Sequence, residues 1–177
     1  MTIGCSNSGK STFAKKLKEA CPDIIHLERD MLRTAMTQEL KPVFDMLDDK
    51  SQNTIIYNTF ELLVKESFAT NKSLLLANCN GLVDRREVMK KITPEAKYIM
   101  VYLDVDEDIL RSRTKKAEEE NKESFMKREE YQSIIEHQIQ HFKPPTPDEA
   151  DHFFTIQNNK NTDAVIAKIK SLITIAS

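Results

Sequence analysis

Gly4-Cys5-Ser6-Asn7-Ser8-Gly9-Lys10-Ser11-Thr12 is the stretch on which the fold turns. Glycine, four residues, glycine, lysine and a hydroxyl residue make the pattern of a loop that wraps phosphate groups. Gly4 and Gly9 let the backbone close on an anion with no Cβ in the way, so successive N–H groups and a helix N-terminus face the negative charge. The context agrees, because the apolar pair Thr2-Ile3 precedes the loop as a short strand and a helical period follows from about Lys10 to Ala20. The expected ligand is ATP with Mg2+. Lys10 reaches the β- and γ-phosphates, and the Ser11 hydroxyl coordinates the metal. Gly4, Ser6, Asn7, Ser8, Gly9, Ser11 and Thr12 form the rest of the cradle.

Outward from the loop, apolar runs of strand length alternate with segments of helical period. Pro22 stops the first helix, Ile24 to Leu27 is a second strand, and Arg29 to Met36 opens a second helix. A long helix runs from about Ser51 to Thr70, before a buried strand over Ser73-Leu74-Leu75-Leu76-Ala77. A helix from about Asp84 to Ile92 leads to the strand Lys97 to Leu103. Helices from about Glu107 to Glu120 and Glu123 to His141 follow, then a strand from Phe153 to Ile156 and a closing helix from Thr162 to Ile175. Five short strands with helices between them predict an α/β fold of the P-loop NTPase type. Its doubly wound parallel sheet binds ligands at the carboxyl ends of the strands. Residues 1–177 read as one domain, with a helical lid over about 105–125.

Composition narrows the function classes. A chain of 177 residues with 40% hydrophobic residues and a net charge of −2 is an ordinary globular composition, not that of a strongly basic nucleic-acid binder, although a local basic patch can still hold phosphates. Cys5, Cys21 and Cys79 are odd in number and lack a CxxC spacing, so free thiols in a reducing cytoplasm are expected. No run approaches the ~20 apolar residues of a membrane span. His137 and His141 stand at i,i+4, a metal-capable spacing, but no His-Glu-x-x-His order accompanies them.

The chemistry beyond the nucleotide rests on three segments. Leu27-Glu28-Arg29-Asp30-Met31-Leu32-Arg33 follows the second strand, so it lands at the sheet edge beside the phosphate loop. There Asp30 is placed to take a proton from an acceptor hydroxyl, and Arg33, three residues on, to hold an anionic group of the acceptor. The same residues also suit a plain helix start, with Asp30 as cap and the arginines solvated. Asp108 to Lys116 is dense in cations after the fourth strand. Arg113 and Lys116 are the first choices to neutralise charge on a transferring phosphoryl group, with Arg111 close behind. A solvated helix face interleaved with Glu118, Glu119 and Glu120 explains the same pattern. Gln157 to Asn161 is a polar loop after the last strand. Asn158 is taken there as an adenine contact, and a turn capping the last helix at Asn161 is an equal reading.

Thr2 to Thr12, Arg29-Asp30-x-x-Arg33 and Asn80-(x)3-Asp84-Arg85-Arg86 together resemble the kinase domain of the bacteriophage 5′-hydroxyl polynucleotide kinases. The resemblance implies that Asp30 is the general base, that Arg33 contacts the acceptor's phosphate, and that Lys10 and Ser11 bind ATP and Mg2+. It also implies Asn80, Arg85 and Arg86 as acceptor contacts and a single-stranded nucleic-acid 5′ end as partner. Where that family has Asp-Thr-Asn after the third strand this chain has Asn78-Cys79-Asn80, so an acid that shapes the acceptor site is missing. The family's phosphatase domain has no counterpart, and no phosphatase activity is expected. Phe142-Lys143-Pro144-Pro145 through Glu149 resembles the turn before the last strand of related kinases. A small-molecule kinase of the same fold, and a nucleotide-dependent switch, are the alternatives that the residues leave open.

Overall fold

The computed structural model describes residues 1–78, 81–120 and 128–176, of which 128–131, 175 and 176 as backbone. Five parallel strands form the centre: β1 (Thr2–Ile3), β2 (Ile25–Leu27), β3 (Leu74–Leu76), β4 (Ile99–Asp104) and β5 (His152–Gln157). They pair as two ladders, β1-β4-β5 and β2-β3, every pair parallel. Thr2 Oγ1 donates to Leu76 O at 3.4 Å, which sets β3 beside β1 and brings the ladders together.

Helices cover both faces because the strands carry apolar residues at successive positions, as strands buried on two sides do. Leu75, Ala77, Val101, Leu103 and Ile156 point to one face. They pack there on Phe13, Ala14 and Leu17 of α1 (Lys10–Ala20) and on Val165, Ile166 and Ile169 of α8 (Thr162–Ala176). Ile3, Leu76 and Met100 point to the other face, against Phe60 and Val64 of α4 (Asp49–Phe68) and Met89 of α5 (Val83–Ile92). A third cluster, Cys5, Val105, Leu110 and Ile135, seats α6 (Glu107–Glu120) and α7 (Arg128–His141) beside the phosphate loop. The doubly wound sheet expected from the sequence is the fold observed.

The remaining helices are α2 (Arg29–Glu39) and the four-residue α3 (Lys41–Phe44). Residues 121–125 of the expected lid, and the expected helix start at Glu123, lie outside the described residues. Asp48 caps α4 by accepting from Ser51 N at 2.7 Å, which holds its carboxyl below the usual carboxylate range. Such a cap stabilises a helix by roughly 1 kcal/mol.

Candidate active site

The phosphate loop is shaped by its two glycines and tied to the helices beside it. A Cβ on Gly4 would stand 2.6 Å from Ser8 Oγ and 3.0 Å from Leu103 O, so the loop turns over the end of β4 only without a side chain there. Gly9 sits at φ 101° and ψ 15°, the left-handed region, immediately before α1 begins. Ser8 N donates to Cys5 O at 3.2 Å across the turn, and Lys10 Nζ folds back to Cys5 O at 2.6 Å. Ser6 N donates to Gln138 Oε1 at 2.6 Å, and Asn7 Nδ2 to Thr114 Oγ1 at 2.9 Å. Side chains of α6 and α7 therefore hold the loop in shape.

A cavity of about 650 Å3 opens along this loop, a volume suited to a nucleotide. It is walled by Asn7, Gly9, Lys10, Ser11 and Thr12, by Arg113 of α6, and by Asn159, Asn161 and Asp163 of the β5–α8 loop and the start of α8. Ser11 Oγ donates to Glu28 Oε1 at 2.7 Å, and Glu28 is nearly buried. A hydroxyl and a carboxylate facing each other at the start of α1 are hard oxygen donors, and they fit Mg2+. Sequence reasoning passed over Glu28 as the residue before the Arg29-Asp30 pair. Its signal was position, since it directly follows β2 at the same sheet edge as the phosphate loop.

Of the three lid cations expected from sequence, Arg113 lines the cavity, and its Nη1 donates to Asn7 O at 3.1 Å. Arg111 is turned away by a two-pronged contact with Glu136, Nε to Oε1 at 2.7 Å and Nη2 to Oε2 at 3.1 Å, and by Glu107 at 3.0 Å. These carboxylates raise the Arg111 pKa, and Arg111 lowers that of Glu136. Lys116 is exposed and paired with Glu120 at 3.7 Å, on the solvent face that its acidic neighbours suggested.

Asn158, the residue expected at the adenine, bonds within the chain. Its Nδ2 donates to Asp106 Oδ2 at 2.8 Å and its Oδ1 accepts from Asp106 N at 3.0 Å, so it ties the β5–α8 loop to the end of β4. The neighbouring Asn159 and Asn161 face the cavity in its place.

The residues expected to meet an acceptor begin at the first turn of α2. Asn78 Oδ1 accepts from Arg29 N at 2.7 Å, so Asn78 serves the helix start that Asp30 was one candidate to cap. Asp30 is 60% exposed, with Arg29 Nη2 at 3.4 Å from Oδ1. Arg29 Nη1 donates to Tyr57 Oη at 2.6 Å, and the Arg29 and Arg85 guanidiniums lie 4.8 and 4.0 Å from the Tyr57 ring centroid. Arg33 is held by Asn53 Oδ1 of α4. Arg86 departs from its expected place: it is 1% exposed, gives Nε and Nη2 to Glu149 at 2.6 and 2.8 Å, and gives Nη1 to Lys143 O at 3.2 Å. One step along a helix rotates the side chain by about 100°, which sends Arg86 into the core where Arg85 lies over Tyr57. Asn80 lies outside the described residues. His137 and His141 stack at 4.2 Å, and no metal-capable group of three ligands occurs among the described residues.

A family profile described as AAA domain matches residues 1–145. The chain belongs to this AAA-domain family. Solved structures similar to this AAA-domain chain include kinases and Kti12. Kti12 from Chaetomium thermophilum, in complex with ADP-AlF3, superposes with a TM-score of 0.73 at 16% identity, covering 97% of each chain. A sugar kinase from Janibacter sp. gives 0.65 at 18%, covering 99% of this chain and 93% of that one. The APS kinase of Mycobacterium tuberculosis, in complex with AMPPNP and APS, gives 0.60 at 15%, covering 98% and 96%. At these identities the likeness shows the fold. No curated protein matches the AAA-domain chain in sequence. Among its described residues no helix is long and apolar enough to cross a membrane.

Proposed function

We propose that residues 1–177 form one kinase domain that transfers the γ-phosphoryl group of ATP to the 5′-hydroxyl of a polynucleotide. The observation that carries the reading is the exposed Asp30 carboxylate, 3.4 Å from the Arg29 guanidinium and two residues past Glu28, which bonds Ser11 of the phosphate loop; Arg85 shares the Tyr57 ring with Arg29. An open carboxylate beside a guanidinium suits a hydroxyl whose own molecule bears a phosphate and continues away from the site.

In the transfer, the acceptor oxygen bonds to the γ-phosphorus as the bond between that phosphorus and its bridging oxygen breaks, and ADP leaves. Asp30 takes the acceptor's proton. Lys10 swings from Cys5 O to the phosphates, and Arg113 supplies charge from the lid side. Mg2+, when bound, would add neutralisation of the phosphate charge. Ser11 would hold the metal, and Glu28 fixes the Ser11 hydroxyl. Glu28→Gln is accordingly expected to weaken Mn2+ binding to the ADP complex about 10- to 100-fold, with metal-free ADP binding unchanged. Paramagnetic titration of Mn2+ reads the first quantity and calorimetry the second.

A second reading has its own support: the structural neighbours include a sugar kinase and an APS kinase over nearly their whole length, so their printed activities favour a small-molecule hydroxyl as acceptor. The burial of Arg86 also removes one cation from the expected basic channel. Incubation with γ-labelled ATP, Mg2+ and either a single-stranded 5′-hydroxyl oligonucleotide or a panel of nucleosides and sugars separates the two. Label on the oligonucleotide end, lost in Asp30→Ala and with a Michaelis constant that rises with salt, upholds the polynucleotide reading. Label confined to a small acceptor overturns it in favour of the second.

A further inference from the structure

We propose that Asn159 is a positioning residue for Arg113, a bridge that fixes the lid cation against the phosphate loop; the inference rests on the reading of Arg113 given above. The Asn159 amide lies between the two. With Nδ2 facing the loop it donates to Ser8 O at 3.1 Å, and Oδ1 then accepts from Arg113 Nη2 at 2.7 Å and Nη1 at 3.1 Å. Arg113 Nη1 also reaches Asn7 O at 3.1 Å, so one loop carbonyl and the Asn159 amide oxygen, itself anchored through Nδ2 to Ser8 O, fix the guanidinium plane on the cavity wall.

The turn that carries Asn159 does not need this side chain. Lys160 N bonds Gln157 O at 2.8 Å, Val165 N bonds Asn161 O at 3.1 Å, and Thr162 Oγ1 bonds Asn159 O at 3.0 Å. Asn158 anchors the turn to Asp106. Asn159 sits at φ 63°, a left-handed conformation that asparagine, aspartate and glycine adopt most readily, so its side chain can be changed while the backbone keeps its shape. A long, flexible arginine loses orientation when such a partner is removed, and an angstrom of misplacement at a phosphoryl-transfer site costs on the order of 100-fold.

The test is binding of Mg2+·ADP with and without fluoroaluminate, the planar mimic of the phosphoryl group in transfer. Asn159→Gly is expected to lower fluoroaluminate-dependent tightening about 10- to 100-fold beyond any change in ADP affinity. Asn159→Asp keeps oxygens for Arg113 and is expected to recover most of that tightening. Added to Arg113→Ala, Asn159→Gly is expected to cost nothing further. Equal loss of ADP and fluoroaluminate affinity, or additivity with Arg113→Ala, would assign Asn159 to the loop or the nucleotide and overturn the bridge. A silent Arg113→Ala would remove the lid role of Arg113 and the inference with it. No acceptor enters this assay, so its outcome is separate from the acceptor's identity.

Discussion

Asp30→Ala is expected to lower kcat for phosphoryl transfer about 10^2- to 10^4-fold, the range that a positioned general base supplies. Binding of Mg2+·ADP is expected to stay unchanged, because no atom of Asp30 belongs to the network joining the phosphate loop, Glu28 and the lid. Thermal stability should hold as well, since the carboxylate is 60% exposed and Asn78 already accepts from the first amide of α2. Asp30→Asn sharpens the test. It keeps size and hydrogen bonding but is not a base at neutral pH, so it should be as impaired as the alanine variant. Single-turnover transfer from labelled ATP measures the rate, and a variant of wild-type rate would remove Asp30 from the chemistry.

Glu149→Ala is expected to destabilise the fold by about 3–5 kcal/mol, the cost of leaving a buried charge without its partner. Arg86 is 1% exposed and directs two of its nitrogens at the Glu149 carboxylate. Glu149 Oε1 also accepts from Thr146 N at 3.0 Å, which closes the turn ahead of β5. For a chain of this size each kcal/mol moves the melting temperature by roughly 2–4 °C, so a fall of about 6–20 °C follows. Pairing Glu149→Ala with Arg86→Met should recover much of the loss, because the orphaned charge goes too.

The same pair has a pH signature. The Arg86 guanidinium holds the Glu149 carboxyl below its ordinary value of 4.5. A depressed carboxylate contributes stability that is fully present above the unfolded value and is lost as pH falls through the folded one. Between pH 7 and 5 the pair is intact; below about 4.5 its contribution declines. The double variant should therefore show a shallower loss of stability on the acid side, readable by urea titration at stepped pH.

These residues also mark how far the sequence could be read. The phosphate loop announced its own context, and α1 and α6 begin and end where the helical period places them. Local signals suffice there, because glycine spacing and amphipathic period act within a few residues of one another. The short α3 escaped notice, since Pro42 and four helical residues leave no periodicity to detect. Long-range pairing was invisible for a different reason: Arg86 meets Glu149 across 63 positions, and Ser6 meets Gln138 across 132. At the site, neighbours exchanged roles. Asn158 braces the loop where Asn159 faces the cavity, because adjacent positions present different faces, and Arg113 points inward where Lys116, about one turn further along α6, meets Glu120 and solvent.

Arg85 and Arg86 carry that contrast into the chain's history. Two identical neighbours on one helix answer to different pressures: Arg86, itself buried, to a carboxylate that lysine cannot engage through two nitrogens, Arg85 to the Tyr57 ring it covers. Under divergence Arg86 and Glu149 should change together or not at all. If Arg85 meets the acceptor as proposed, it can drift as the acceptor changes, and the fold can pass between substrates by altering Arg85 while the Arg86–Glu149 frame stays in place.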